Sequence, residues 1–444
     1  MILLVVAFSF IVAAATPTAR VHPVENLISI PLVKLHIPLL GIQLDALALH
    51  QRRVAHSQRR LAAMSSQSLK PNLLLGDVFP EHAPHPLPPS EDATQRRRES
   101  DAEVTKSNTA YYPHSAGLDI EGQDIGYMAT LGLGTPPRAF KLLVDSGSAD
   151  LWVGSEQCQA DTGGNCGDHQ FLGSRSSSSF QPINKTWFIR YGTGAANGQL
   201  AKDHVVFPGG LRLDNHTFGV AHNESSEFTK NNIPLDGVLG CAKQNLSMQS
   251  TMTFLDALRA RNLISEPIIS YKLSRIADGT NDGEITLGGM DPTTYNPLTL
   301  VEIPNVNKGG FWEAKVDGIQ VNGRDLGLHG RSCIFDTGTT LFLASKADVE
   351  QIHQGIPGAI YNKASSNWRI PCNTTTIISL VFGGKEFSVE PEDLATSDAT
   401  NGMCMSAIAG GGVDGAWLVG AVFLKNVILS TNERTDKIAL ARRR

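Results

Sequence analysis

No cysteine occurs before residue 150, and no Cys-x-x-Cys pair occurs anywhere in the chain. Neither His-Glu-x-x-His nor a Gly-Lys-Ser/Thr phosphate loop is present. These absences set aside the common zinc, redox and nucleotide sites. There is no extended basic stripe and the net charge is −5, which argues against a nucleic-acid partner. After the first residues no stretch is apolar enough to span a bilayer. Charged residues are only 18% against 41% hydrophobic, a balance that excludes wholesale disorder and allows a sizeable core.

What is present begins with MILLVVAFSFIVAAATPTAR, an apolar run too short for a membrane span and ending in small residues. Residues 1–15 read as a secretory signal peptide, although the front carries no Lys or Arg. The charged terminus ALARRR argues against a lipid-anchor tail. Export, to the extracellular space or a vacuole, predicts oxidising conditions for the six cysteines. It also makes the sequons at Asn184, Asn215, Asn223, Asn245 and Asn373 glycosylation candidates.

Residues 16–107 differ in texture from the rest of the chain. They are rich in His, Arg and Pro, and include HAPHPLPPS and Arg96-Arg97-Arg98, which read as an exposed, cleavable linker. QLDALALHQRRVAHSQRRLAAM has the pattern of an amphipathic helix with basic residues along it. Up to residue 107 there are 11 Lys+Arg against 9 Asp+Glu; from 108 onward there are 27 against 34. A basic front segment on an acidic body predicts an electrostatically docked prosegment.

From residue 108 the texture is all-β: short runs such as YMATLGLG, WFIRYG and FWEAKVDGIQVNG, bounded by Gly, Pro, Asn or Asp. Helical patterns are confined to TMTFLDALRARNLI at 251–264 and SKADVEQIHQGI at 345–356. One repeat stands out. FKLLVDSGSADLWVGS at 140–155 is echoed by RSCIFDTGTTLFLASK at 331–346. Each is followed by a hydrophobic pair and Gly, Val238-Leu239-Gly240 and Leu418-Val419-Gly420. Two copies of one supersecondary unit predict two related lobes, 108–295 and 296–444.

The repeat carries chemistry. In an Asp-Ser/Thr-Gly-Ser/Thr turn, flanking apolar strands hold the Asp away from water, and Gly permits a tight turn. The Gly N–H and a motif hydroxyl can donate to the carboxylate. One such turn is weak evidence, but two in matching frames predict Asp145 and Asp336 facing each other across a pseudo-twofold axis. Two adjacent carboxyls cannot both ionise easily and share a proton, an effect for which aspartic proteases are the standard example. The ionised member can deprotonate a trapped water while the protonated member donates to a substrate carbonyl.

With these motifs the chain resembles the pepsin-like aspartic peptidases over roughly residues 120 to 440. The resemblance implies a bilobal all-β fold, two β-barrel-like lobes with an active-site cleft between them, hydrolysing peptide bonds of proteins. Asp145 and Asp336 would be catalytic. Gly147, Tyr191, Gly192, Thr193, Gly338, Thr339 and Thr340 would meet substrate, Tyr191 from a flap hairpin closing over the cleft. Ser148 and Trp152 would support them, with the Trp152 indole bonding Tyr191. The resemblance also pairs Cys158 with Cys166 and Cys372 with Cys404, leaving Cys241 and Cys333 as buried free thiols. It implies that the propeptide is an intramolecular inhibitor of a zymogen, with Lys34 in ISIPLVKLHI the candidate to reach the dyad. No metal, cofactor or membrane anchor is expected, and the chain is expected to be a monomer. Ala421 departs from the pattern, standing where many relatives carry Asp. The rival on the same fold is an inactive binding protein, which would be expected to lack an Asp, a motif Gly or the flap Tyr; all are present.

Overall fold

The computed structural model describes residues 50–61 except 52 and 56, and then 115–121, 124–191, 194–229, 235–411 and 415–444, with backbone alone for 397–400. The fold is all-β and two-lobed. In the first lobe, strand Arg138–Asp145 alternates its exposure along RAFKLLVD until Val144 and Asp145 are both buried. It pairs in parallel with Gly237–Gly240, setting Asp145 opposite Gly240. That short strand pairs antiparallel with Leu151–Ala160, which resumes the chain after the motif. The second lobe repeats the arrangement. Ser332–Phe335 runs parallel to Ala416–Val419, which pairs antiparallel with Phe342–Ala344. The sequence repeat is therefore a structural one, built on the predicted Val-Leu-Gly and Leu-Val-Gly segments.

The lobes share a sheet. Strands Val301–Pro304, Lys437–Arg442 and Val427–Asn432 from the second half continue into Ile268–Lys272, Gly283–Leu287 and Ser115–Glu121 from the first. Ile428 pairs with Lys272 and Leu118 with Gly283, so this sheet crosses the 295/296 boundary expected from sequence. Above the first lobe, Gln181–Arg190 and Ala195–Phe207 form a long hairpin ending in the pair Arg190–Ala195. Tyr191 N–H donates to Gly194 O at 2.7 Å across its tip. Gly192 and Thr193 lie outside the described residues.

The two expected helices in the body form, shorter than their patterns. Phe254–Ala260 starts where Thr253 accepts from Asp256 N–H, and Lys346–Gln354 where Ser345 accepts from Asp348 N–H. A polar cap sets each start, so the preceding residues stay extended. No described helix is long and apolar enough to cross a membrane. Cys158 bonds Cys166 and Cys372 bonds Cys404, while Cys241 and Cys333 are free and buried, as expected.

Ahead of the body, residues 50, 51, 53–55 and 57–61 are helical, within the amphipathic stretch read from sequence. His50, Ser57, Arg60 and Leu61 are each at most 5% exposed, although none belongs to the β-body. The helix is docked, and Leu61 joins the main hydrophobic core.

Candidate active site

Asp145 ends its strand, Asp336 directly follows the equivalent one, and both are fully buried. Their surroundings match atom for atom. Gly147 N–H donates to Asp145 Oδ1 at 2.9 Å and Gly338 N–H to Asp336 Oδ1 at 3.0 Å. Ser148 Oγ donates to Asp145 Oδ2 and Thr339 Oγ1 to Asp336 Oδ2, both at 2.5 Å. Each carboxylate is thus held flat and pre-oriented by one amide and one hydroxyl, charge-assisted bonds of the stronger kind.

The motif glycines are required by the other lobe. A Cβ on Gly147 would lie 2.7 Å from Asp336 Oδ1, and one on Gly338 would lie 2.6 Å from Asp145 Oδ1. Any side chain there would push the two carboxylates apart.

The first hydroxyl of each motif does something that the sequence did not reveal. Ser146 Oγ donates to Phe335 O at 3.0 Å and Thr337 Oγ1 to Val144 O at 2.8 Å, each crossing to the opposite lobe. Each oxygen also accepts the other residue's N–H at 2.9 Å. Four buried hydrogen bonds therefore tie the motifs together directly beneath the carboxylates. Only the near-identity of DSGS and DTGT hints at this, since the bonds exist only once the lobes meet.

Thr339 and Thr340 have hydroxyls engaged within the protein, Thr339 on Asp336 and Thr340 on Ile125 O at 2.9 Å. Trp152 Nε1 donates to Tyr191 OH at 2.6 Å, which fixes the half-buried ring at the base of the hairpin tip. Phe228 and Trp187 pack against the same indole. Ala421 is buried and donates its N–H to Thr339 O at 2.8 Å.

Between the carboxylates lies a cation. Arg60 Nη2 donates to Asp336 Oδ1 at 2.8 Å and also reaches Asp145 Oδ1, while Arg60 Nε lies against Asp336 Oδ2. The guanidinium spans the dyad, its planar fork matching two carboxylates as an ammonium cannot. Lys34, the cation expected there, lies outside the described residues. The signal for Arg60 was the basic helix pattern QRRVAHSQRRL, which marks a basic helix without saying which residue reaches the cleft.

The charges couple. Burial pushes the Asp145 carboxyl up, but the Arg60 guanidinium, the Ser148 hydroxyl and the Gly147 N–H outweigh it and leave the group below the ordinary range. Burial also raises Asp336; Arg60 opposes this, the Asp145 charge adds to it, and the group ends above the ordinary range. The two titrate as one unit.

The remaining sequence candidates are on the surface. Asn184, Asn215, Asn245 and Asn373 are exposed. Asn223 is half-buried and its Nδ2, the atom a glycan would take, donates to Asn197 Oδ1 at 2.8 Å. Among the described residues the one His/Cys/Asp/Glu group with metal-like spacing is Cys158, Cys166 and Glu224, and both of its sulfurs are in the disulfide.

Comparison with known proteins agrees with this geometry. Residues 126–443 match the model of the eukaryotic aspartyl protease family. The chain is 32% identical over 347 residues to "Probable aspartic-type endopeptidase CTSD" of Trichophyton verrucosum, covering 77% of this chain and 65% of that protein. It is 31% identical over 350 residues to aspartic-type endopeptidase ctsD of Aspergillus fumigatus, covering 78% and 72%. Human cathepsin D is 31% identical over 339 residues, 72% of this chain and 81% of its own. The chain thus spans about 65% of the length of the Trichophyton relative. With two equivalent Asp turns, a hairpin tyrosine tethered to Trp152 and this match across most of its length, the chain belongs to the eukaryotic aspartyl protease family.

Proposed function

We propose that this protein is an aspartic endopeptidase made as a secreted zymogen. One observation carries the reading: two buried carboxylates, each held by an amide and a hydroxyl, reach a single cation at one point. With Arg60 gone, that point suits a water molecule bonded to both carboxylates. One member of the Asp145–Asp336 pair, ionised, takes the water's proton as the oxygen attacks a peptide carbonyl, and the other, protonated, donates its proton to the carbonyl oxygen. No covalent intermediate is needed. Tyr191, anchored by Trp152, closes the hairpin over the bound peptide and excludes bulk water, in which Gly192 and Thr193 would assist. Protein or peptide chains are the substrates.

Residues 1–15 serve as the export signal, to the extracellular space or a vacuole, and 16–107 as the prosegment. The docked helical segment that carries Arg60 is the inhibitory element, and Arg60 is its contact with the dyad. Arginine stays charged at every working pH, so acid acts on the carboxylates facing it. Arg60 holds Asp145 below its ordinary value; docking is therefore complete above the ordinary carboxylate range and weakens as pH falls through the depressed value.

The test is digestion of an unfolded protein by the acidified chain, with and without a statine-type transition-state mimic. Acid-dependent cleavage that the mimic blocks is the expected result. Cleavage that resists the mimic and responds instead to a metal chelator or a thiol reagent would sink the proposal.

A further inference from the structure

Strand Ile408–Gly410 is the last in its five-stranded sheet among the described residues, beside Phe342–Ala344, the strand leaving the second Asp motif. The two run parallel with Ala344 opposite Gly410, and Gly411 N–H donates to Ala344 O at 3.2 Å. In a parallel ladder this leaves the Gly410 carbonyl facing away from its neighbour, on the open edge. A carbonyl in that position needs a donor. Here it has one from outside the body: Gln58 Nε2 donates to Gly410 O at 2.6 Å. Gln58 stands two residues before Arg60 on the same docked helix.

Gly411 completes the contact. Its φ is +132°, and a Cβ built on it would overlap the Cγ, Cδ and Nε2 atoms of Gln58. The glutamine side chain occupies the volume that any residue other than glycine would fill. A carbonyl held rigidly by the strand carrying Asp336's lobe, beside a bare Cα, is a cradle for an unbranched side chain ending in a hydrogen-bond donor.

We infer that the Gly410 carbonyl and the bare Cα of Gly411 form a substrate subsite selecting a glutamine side chain, and that Gln58 is its intramolecular occupant. The inference rests on the endopeptidase reading above. In a helix, residues two apart are about 5–6 Å apart, and an extended peptide advances about 3.3 Å per residue. The subsite therefore serves a side chain one to three positions from the scissile bond. Methionine, equal in length and lacking the donor, leaves the carbonyl unpaired and is disfavoured.

The experiment uses the processed enzyme and a set of peptides with one fixed scissile bond, placing Gln, Met or Ala at each of three positions on either side. The expected result is one position at which Gln exceeds Met in kcat/KM by about three- to tenfold, the range one neutral hydrogen bond supplies. Gly411→Ala should erase that preference in enzyme that still cleaves the Ala peptide, whose cleavage reports a working fold. An enzyme that cleaves these peptides with no Gln-over-Met preference at any position overturns the subsite alone, whatever Gly411→Ala does. A preference that survives unchanged in a Gly411→Ala enzyme active on the Ala peptide places the selection elsewhere and also overturns it. A processed chain that cleaves none of the peptides overturns the endopeptidase reading, and the subsite with it.

Discussion

Replacing Arg60 by alanine in the full-length chain withdraws the cation between Asp145 and Asp336 and leaves two buried carboxylates facing each other. Arg60 is 5% exposed and both aspartates are fully buried, so screening by water is slight. Breaking a buried, hydrogen-bonded pair of this kind costs about 3–5 kcal/mol. Part of this is recovered because the dyad can take up a proton once the cation has gone. A residual loss of about 3 kcal/mol in docking would raise the open population about a hundredfold. The assay is turnover of a fluorogenic peptide at pH 6 by the uncut chain, with the chain's integrity followed on a gel. Wild type should be silent at that pH and Arg60→Ala active before any processing. Arg60→Lys should fall between them, since an ammonium keeps the charge and loses the fork. If uncut Arg60→Ala is as silent as wild type while the processed form of the same variant is active, the helix does not inhibit through this contact.

Three further outcomes are expected. Tyr191→Phe removes the acceptor of the Trp152 indole N–H, a 2.6 Å bond, and leaves a buried donor unpaired; at about 1–3 kcal/mol, Tm should fall by a few degrees, and with the hairpin tip loosened kcat/KM should also fall in steady-state assays. Glu224 is buried beside Asp236, and burial first, then the Asp236 charge, pushes it from 4.5 to about 8. An acid raised by folding contributes stability below its unfolded pKa and loses it as pH rises through the folded value, so thermal stability should decline between about pH 4.5 and 8, and Glu224→Gln should flatten that decline. Glycan mapping of chain expressed in a secreting eukaryote should find sugar at some or all of Asn184, Asn215, Asn245 and Asn373 and none at Asn223, whose amide nitrogen already bonds Asn197.

The parts of the site that could be read from the sequence are those encoded by short local patterns. The Asp-Ser-Gly-Ser and Asp-Thr-Gly-Thr turns needed only their own residues to bring an amide and a hydroxyl onto each carboxylate, and both did so. Tyr191 and Trp152 were placed by likeness, and their 2.6 Å bond agrees with it. What could not be read depends on distant chain segments meeting. The Ser146 and Thr337 hydroxyls act across the two lobes, and no local pattern gives them a partner 189 or 193 residues away. The shared sheet brings Ile428 opposite Lys272, a register set by how the halves pack. Arg60 is one of several cations in a basic helix, and only the docked orientation separates it from Arg59, which is exposed. The bond of the Thr339 hydroxyl to Asp336 stays within the turn, but that of the Thr340 hydroxyl to Ile125 O spans 215 residues, a partner the motif alone does not give.

The most direct measurement is kcat for Asp336→Asn beside wild type, on one unfolded protein substrate at acid pH, after removal of residues 1–107 from both. An amide is nearly the same shape as the carboxyl and cannot pass the proton, so the fold should persist and cleavage should drop by about a hundred- to ten-thousandfold, in line with loss of a general acid–base partner. An Asp336→Asn protein that folds normally and cleaves within tenfold of wild type would contradict catalysis by the Asp145–Asp336 pair.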